Sequence, residues 1–279
     1  MKSSYFTPQG LAGVLCSRAE VYTHLGHGDE ALADFDRAWG MVGELRNLTL
    51  RRQLQLAGLR TKCGVYSLHG KNPELREAGE QALEVSLVLG DRKGEGVSLQ
   101  VLGNVHYSLG KYGEAGEYYH RSLMINQEIG DRWGETSSLG NIGLVHFCLG
   151  EFEQARSFHQ RSLAINQEIG DRQGEAYDQT NIGYVLLEMG NHPESERAYK
   201  KGEDLTKEIG DRELGGEVLA GLAALYLDQG RLRLAEEKFR QMGDLAGALN
   251  SKKHQGVVNY LQGRLHIKRG MGDLARAAF

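Results

Sequence analysis

Glycine recurs on a forty-residue ruler in this chain. Gly70, Gly110, Gly150, Gly190, Gly230 and Gly270 share one register, and Gly90, Gly130, Gly170 and Gly210 share a second, half a period away. The second register reads Gly-Asp-Arg each time, at 90–92, 130–132, 170–172 and 210–212, and Glu128-Ile129, Glu168-Ile169 and Glu208-Ile209 precede three of the four. Self-similarity at a fixed period of this length specifies an array of stacked units, each packing on its neighbours, in place of one closed core. A length of 279 residues would otherwise suggest two domains, and the repeat overrides that count.

The interval between successive glycines, about 19 residues, suits one helix of four to five turns, and a glycine just past a helix end supplies a left-handed cap without a steric penalty. Each period therefore predicts two helices. Asp91, Asp131, Asp171 and Asp211 follow the cap directly, where an aspartate accepts from the free amides of the next helix and favours its positive dipole end. Three prolines in the whole chain agree with a helical composition.

The apolar residues fall at helical spacing. The first helix of successive units carries Leu99, Leu102, Gly103 and His106, then Leu139, Ile142, Gly143 and His146, then Ile182, Gly183 and Leu186, then Leu219, Leu222, Ala223 and Tyr226. Gly103, Gly143, Gly183, Ala223 and Gly263 let the second helix approach closely; Ala115, Ala155, Ala235 and Ala275 sit where it crosses back, and Tyr119, Tyr199, Phe239 and Phe279 fill the gap four residues on. This pattern, in particular Leu102-Gly103, Gly110, Ala115 and Tyr119, resembles the tetratricopeptide repeat family in a long-helix form similar to Partner-of-Inscuteable-type scaffolds, kinesin light chains and bacterial signalling arrays. Tyr22, Gly26, Ala31, Phe35 and Ala38 fit a first repeat, a 44-residue step leads from Gly26 to Gly70, and a degenerate second repeat surrounds Cys63, Tyr66 and Ala82. The resemblance implies an all-α, right-handed superhelical α-solenoid of about seven helix-turn-helix repeats. A single array over 1–279 is expected, with repeats near 8–46, 50–90, 91–130, 131–170, 171–210, 211–250 and an incomplete 251–279. The last ends at Phe279 within its second helix, so either the natural protein continues or that uncapped face docks on something, another copy included.

Catalytic and cofactor motifs are missing from the sequence: it contains no HExxH, P-loop, GxSxG or strand-preceded GxGxxG. Cys16, Cys63 and Cys148 form no CxxC pair, and His106, His146 and His266 share a repeat column and read as packing. We therefore expect no enzyme activity, no cofactor and no metal. No apolar run is long enough for a membrane span, and a formal charge of −4 without a basic stripe argues against nucleic acid. A cytoplasmic protein without membrane contact is the expectation.

What remains is surface. If Leu102, Gly103 and His106 face the core, helical geometry sends 97, 101, 104 and 108 to the other side, with the same offsets in every repeat. The predicted groove lining is Val97, Val101, Asn104 and Ser108; Ser137, Asn141, Leu144 and Cys148; Tyr177, Asn181, Tyr184 and Glu188; Glu217, Gly221, Ala224 and Asp228; and Val257, Leu261, Arg264 and Lys268. Leu144, Tyr177 and Tyr184 offer apolar and aromatic contact. The family resemblance implies peptide binding by asparagines on this face, here Asn104, Asn141 and Asn181. Residues 231–279 hold ten Lys or Arg against four Asp or Glu, so Arg264 and Lys268 form a basic end opposed to Glu188, Glu217 and Asp228, and that gradient would orient a charged ligand. The chain reads as a scaffold holding a peptide or protein segment in a concave groove. Two alternatives are a sensor array of a larger signalling ATPase, protease or transcription regulator, and a solenoid that self-assembles through its ends.

Overall fold

In the computed structural model the residues described are 8–25, 27–42, 47–249 and 251–271. They form thirteen helices: α1 Pro8–His24, α2 Gly28–Val42, α3 Leu48–Leu68, α4 Asn72–Leu89, α5 Arg92–Ser108, α6 Tyr112–Ile129, α7 Arg132–Cys148, α8 Phe152–Ile169, α9 Arg172–Glu188, α10 His192–Ile209, α11 Arg212–Asp228, α12 Leu232–Leu249 and α13 Lys252–Lys268. No strand occurs among the described residues. The chain divides into two compact units, Met1–Asn141 and Ile142–Phe279.

Both glycine registers do what their spacing predicts. Gly70, Gly110, Gly150, Gly190, Gly230 and Gly270 end first helices and Gly90, Gly130, Gly170 and Gly210 end second helices, all at φ between 64° and 76°. In that left-handed region a Cβ would crowd the following carbonyl. At the corner after each second helix the aspartate caps the next one: Asp91, Asp131 and Asp171 accept from the backbone N–H of Gly94, Gly134 and Gly174 at 2.9, 3.0 and 3.0 Å, and Asp211 from Leu214 at 3.0 Å. The arginine that completes the motif clamps glutamates. Arg92 bonds Glu95 at 2.6 Å and also Glu128, Arg132 bonds Glu135 at 2.7 Å, and Arg172 holds Glu175 at 3.1 Å and Glu208 at 2.7 Å.

The 44-residue step has a simple cause. Helix α3 is 21 residues long, whereas α5, α7, α9, α11 and α13 are each 17, so the extra turn lies inside one helix and the register of the array resumes after it. Each core is built from hairpins. Ala115, Ala155 and Ala235 are fully buried, and Tyr119, Tyr199 and Phe239 pack onto the small residues of the preceding helix. A Cβ at Gly103 would lie 2.5 Å from the Tyr119 ring, one at Gly143 2.6 Å from His159, and one at Gly183 2.7 Å from Tyr199. In the N-terminal unit Ala31, Phe35 and Ala38 are buried as the first repeat requires; Gly26, Ala275 and Phe279 lie outside the described residues.

Two members of the histidine column, His106 and His146, pack on aromatic rings and face glutamates. His106 lies against Tyr118 and His146 stacks on Phe158, each with ring centroids 5.1 Å apart, while their Nδ1 atoms face Glu114 and Glu151. His159 departs from the tyrosine found at 119 and 199: it is wholly buried, with Asp178 3.6 Å away.

Candidate functional site

First helices touch first helices. In the N-terminal unit α1 packs on α3, and in the C-terminal unit α9 packs on α11 and α11 on α13. The face of these helices turned away from their hairpin partners is therefore shared by α9, α11 and α13 in the C-terminal unit, whereas in the N-terminal unit a cavity lies between α3 and α5.

In the N-terminal unit, Val97 and Asn104 are exposed and Val101 is half-buried on α5. All three border a cavity of about 210 Å³ closed by Arg60, Cys63, Ser67 and Leu75 of α3 and α4. Asn104 accepts a 2.7 Å hydrogen bond from the Tyr119 hydroxyl, which fixes its amide, and Ser108 is exposed with its hydroxyl donating to the Val105 carbonyl at 2.8 Å. Burial pushes the Cys63 thiol up to about 12, so it enters the cavity wall as a neutral, apolar group. Ser137 is exposed and Asn141 half-buried on α7.

In the C-terminal unit Leu144, Asn181 and Tyr184 are half-buried, and Cys148, Tyr177 and Glu188 are exposed. The Tyr184 hydroxyl donates to the Glu217 carbonyl at 3.0 Å, its ring meets Tyr199 edge-on, and burial raises it to about 12. It serves as a neutral donor and an apolar wall. The Nδ2 of Asn181 is buried without a protein partner, an unusual state for an amide that carries two donors. Arg264 pairs with Asp228 at 2.9 Å, and the Lys268 ammonium donates to the Leu227 carbonyl at the end of α11 at 2.5 Å. The predicted basic end is thus partly engaged within the protein.

Two of the expected lining positions are corrected. Gly221 is buried: a Cβ there would sit 2.3 Å from the Tyr199 ring, so the position serves core packing. Leu261 is 4% exposed and belongs to the core cluster of Leu222, Phe239 and Leu265. Arg60, Cys63 and Ser67 fall outside the predicted face because, counted back from Gly70, they take the registers of Gln100, Gly103 and Tyr107 and not those of Val97, Val101, Asn104 and Ser108. Among the described residues no three His, Cys, Asp or Glu side chains gather as metal ligands, and no helix is long and apolar enough to cross a membrane.

Paired helices, left-handed glycine corners and a recurring first-helix face define an α-solenoid repeat protein. The sequence profile described as tetratricopeptide repeat matches residues 98–168, 135–208 and 175–246. The chain belongs to the tetratricopeptide repeat family. A search of curated proteins gave no sequence match. Among solved structures the chain is similar to apo RapI, with a TM-score of 0.78 at 14% identity over 96% of this chain and 94% of the other. It is also similar to the Rap conjugation gene regulator of plasmid pLS20 in complex with the Phr* peptide, with a TM-score of 0.66 at 15% identity over 93% of this chain and 71% of the other. A third likeness is to a signal-transduction ATPase with a tetratricopeptide repeat sensor from Pyrococcus horikoshii, with a TM-score of 0.68 at 15% identity over 99% of this chain and 40% of that one.

Proposed function

We propose that the chain is a non-catalytic, cytoplasmic interaction module that holds a peptide or protein segment against its first-helix face. The observation that carries this reading is half-buried Asn181, whose Nδ2 has no partner among the described residues and which lies one helical turn from exposed Tyr177 on α9. A peptide main chain supplies the carbonyl that such an amide lacks, and the flanking apolar and aromatic surface supplies contact area. The peptide seen on the plasmid-encoded Rap regulator is a property of that protein; it supports the reading here only through a shared fold. A second reading, a sensor array within a larger signalling protein, draws on the fold shared with the ATPase sensor. It uses the same face and adds an output domain. The terminal repeats are further proposed to allow self-association, read as a concentration-dependent mass.

The test uses Tyr177→Ala with Asn181→Ala in one chain, as bait beside the wild type in an extract of the source organism, with mass-spectrometric identification. The expected result is a partner retained by the wild type and lost by the variant, with the melting curve moved by no more than a few degrees. Equal retention of every partner by both chains sinks the assignment of this face.

A further inference from the structure

The Gly-Asp-Arg corners show what an arginine at that place is built to hold. Arg92, Arg132 and Arg172 each clamp the glutamate three residues on, and Glu95, Glu135 and Glu175 are only 9, 8 and 7% exposed. Each buried carboxylate is thereby matched to a guanidinium. Arg172 addresses both oxygens of Glu175, at 3.1 Å each, and Gln127 adds a 2.9 Å hydrogen bond to Glu135 from the preceding helix.

One repeat later the same register carries Arg212 without its partners. Gly215 stands where Glu175 stands, and Ala248 stands where Glu208 stands. Arg212 is exposed and has no carboxylate partner among the described residues. A Cβ on Gly215 would find its nearest neighbour, Thr206, 3.7 Å away, so the volume that a glutamate side chain fills in three earlier repeats is open. That volume is part of a cavity of about 400 Å³ among α10, α11 and α12, bordered by Arg212, Lys207, Thr206 and Gln241 and walled by Leu219 and Leu245; two carboxylates also border it, both already engaged, Glu203 by Lys207 and Lys238 and Asp211 by Gln173 and the Leu214 N–H. Lys207 occupies the register of Gln127 and, in place of a neutral amide, brings a cation whose present partner is Glu203 at 2.8 Å.

We propose that this cavity is a carboxylate-binding site, and that its ligand is a carboxylate on a short aliphatic stem. The ligand takes the place of the missing glutamate: Arg212 receives both oxygens as Arg172 does, Lys207 approaches from the side used by Gln127, and Leu219 and Leu245 cover the methylenes. The site lies on the second-helix side and does not rest on the peptide-face reading. Two sources present the same chemistry, a free dicarboxylate and a glutamate side chain of a partner segment.

The test is isothermal titration of the full chain with sodium glutarate and, separately, with acetyl-Gly-Glu-Gly-amide, against sodium chloride at matched ionic strength. Arg212→Gln removes the guanidinium from an exposed position, and Gly215→Glu refills the cavity with the chain's own carboxylate. Expected results are saturable binding to the wild type, a loss of about tenfold or more in Arg212→Gln, and no binding but a higher melting temperature in Gly215→Glu. Binding of the peptide alone assigns the site to a partner side chain, and binding of glutarate alone to a free small molecule. No binding beyond chloride, or equal binding by wild type and both variants, overturns the proposal.

Discussion

Gly221→Ala is expected to destabilise the protein although alanine is the better helix former. In a helix interior alanine is favoured over glycine by about 1 kcal/mol. At 221 the added Cβ would meet Tyr199 Cε1 at 2.3 Å, Cζ at 2.5 Å and the hydroxyl at 2.8 Å. Ordinary contact lies more than 1 Å further out, and the ring cannot withdraw freely because Gly183 already touches the same edge and Tyr184 closes the side. Overpacking of this kind costs ~1–3 kcal/mol, which offsets the propensity gain and leaves a net loss of up to about 2 kcal/mol. Gly243 in α12 is the internal control, since a Cβ there meets nothing within 4 Å; Gly243→Ala should gain up to about 1 kcal/mol. Urea unfolding followed by circular dichroism measures both. In a Tyr199→Ala background the clash is gone, and Gly221→Ala should stabilise, a coupling of about 1–3 kcal/mol in a double-mutant cycle. If Gly221→Ala shifts the wild type and the Tyr199→Ala chain by the same amount, the close-approach argument fails.

Two further outcomes follow from the corners and the surface pairs. Gly170→Ala, at φ 75°, should lower stability by about 1–2 kcal/mol in a thermal melt, and an unchanged melting temperature would refute the left-handed requirement. Burial pulls the Glu196 carboxyl up, but hydrogen bonds from Arg231 and Lys200 hold it down at about 2, so its contribution is present at neutral pH and is lost as pH falls from about 4.3 towards 2. Glu196→Gln should therefore flatten the acid limb of stability against pH, and an identical limb in both chains would count against the pairing.

Much of this architecture could be read from one-dimensional spacing because each punctuation mark has a local cause. A left-handed glycine and an aspartate cap need only their immediate neighbours, so Gly130 and Asp131 were legible without any tertiary knowledge. The buried aromatic over a small residue was legible too, since Tyr119 and Gly103 recur as a pair. What escaped depends on neighbouring repeats. The glutamate clamp joins Arg172 to Glu208 across 36 residues, and no single-helix periodicity exposes it. The burial of Gly221 by Tyr199 and of Leu261 among Leu222, Phe239 and Leu265 comes from neighbouring helices, which a fixed offset of forty residues does not contain. The candidate face was legible only as a set of positions. That Arg264 and Lys268 are engaged by Asp228 and the Leu227 carbonyl is a matter of side-chain reach.

A repeat array supplies its own comparison, because one geometric place is sampled several times in the same chain. The packing column 103, 143, 183, 223, 263 reads Gly, Gly, Gly, Ala, Gly, whereas the face column 104, 144, 184, 224, 264 reads Asn, Leu, Tyr, Ala, Arg. Nearest-neighbour packing sets the stability of such an array, so a place pressed against the aromatic of its hairpin partner admits little variation, and a place one residue away with looser surroundings admits much. Chemistry that differs from repeat to repeat at a constant position is what reading an irregular ligand requires, since each repeat then meets a different part of it. The same comparison marks the corner at Arg212. Its two acidic partners are replaced together, by Gly215 and Ala248, while the arginine and the aspartate cap beside it are kept. A carboxylate from outside the chain would complete the clamp at that corner, which is the occupancy proposed for the cavity beside it.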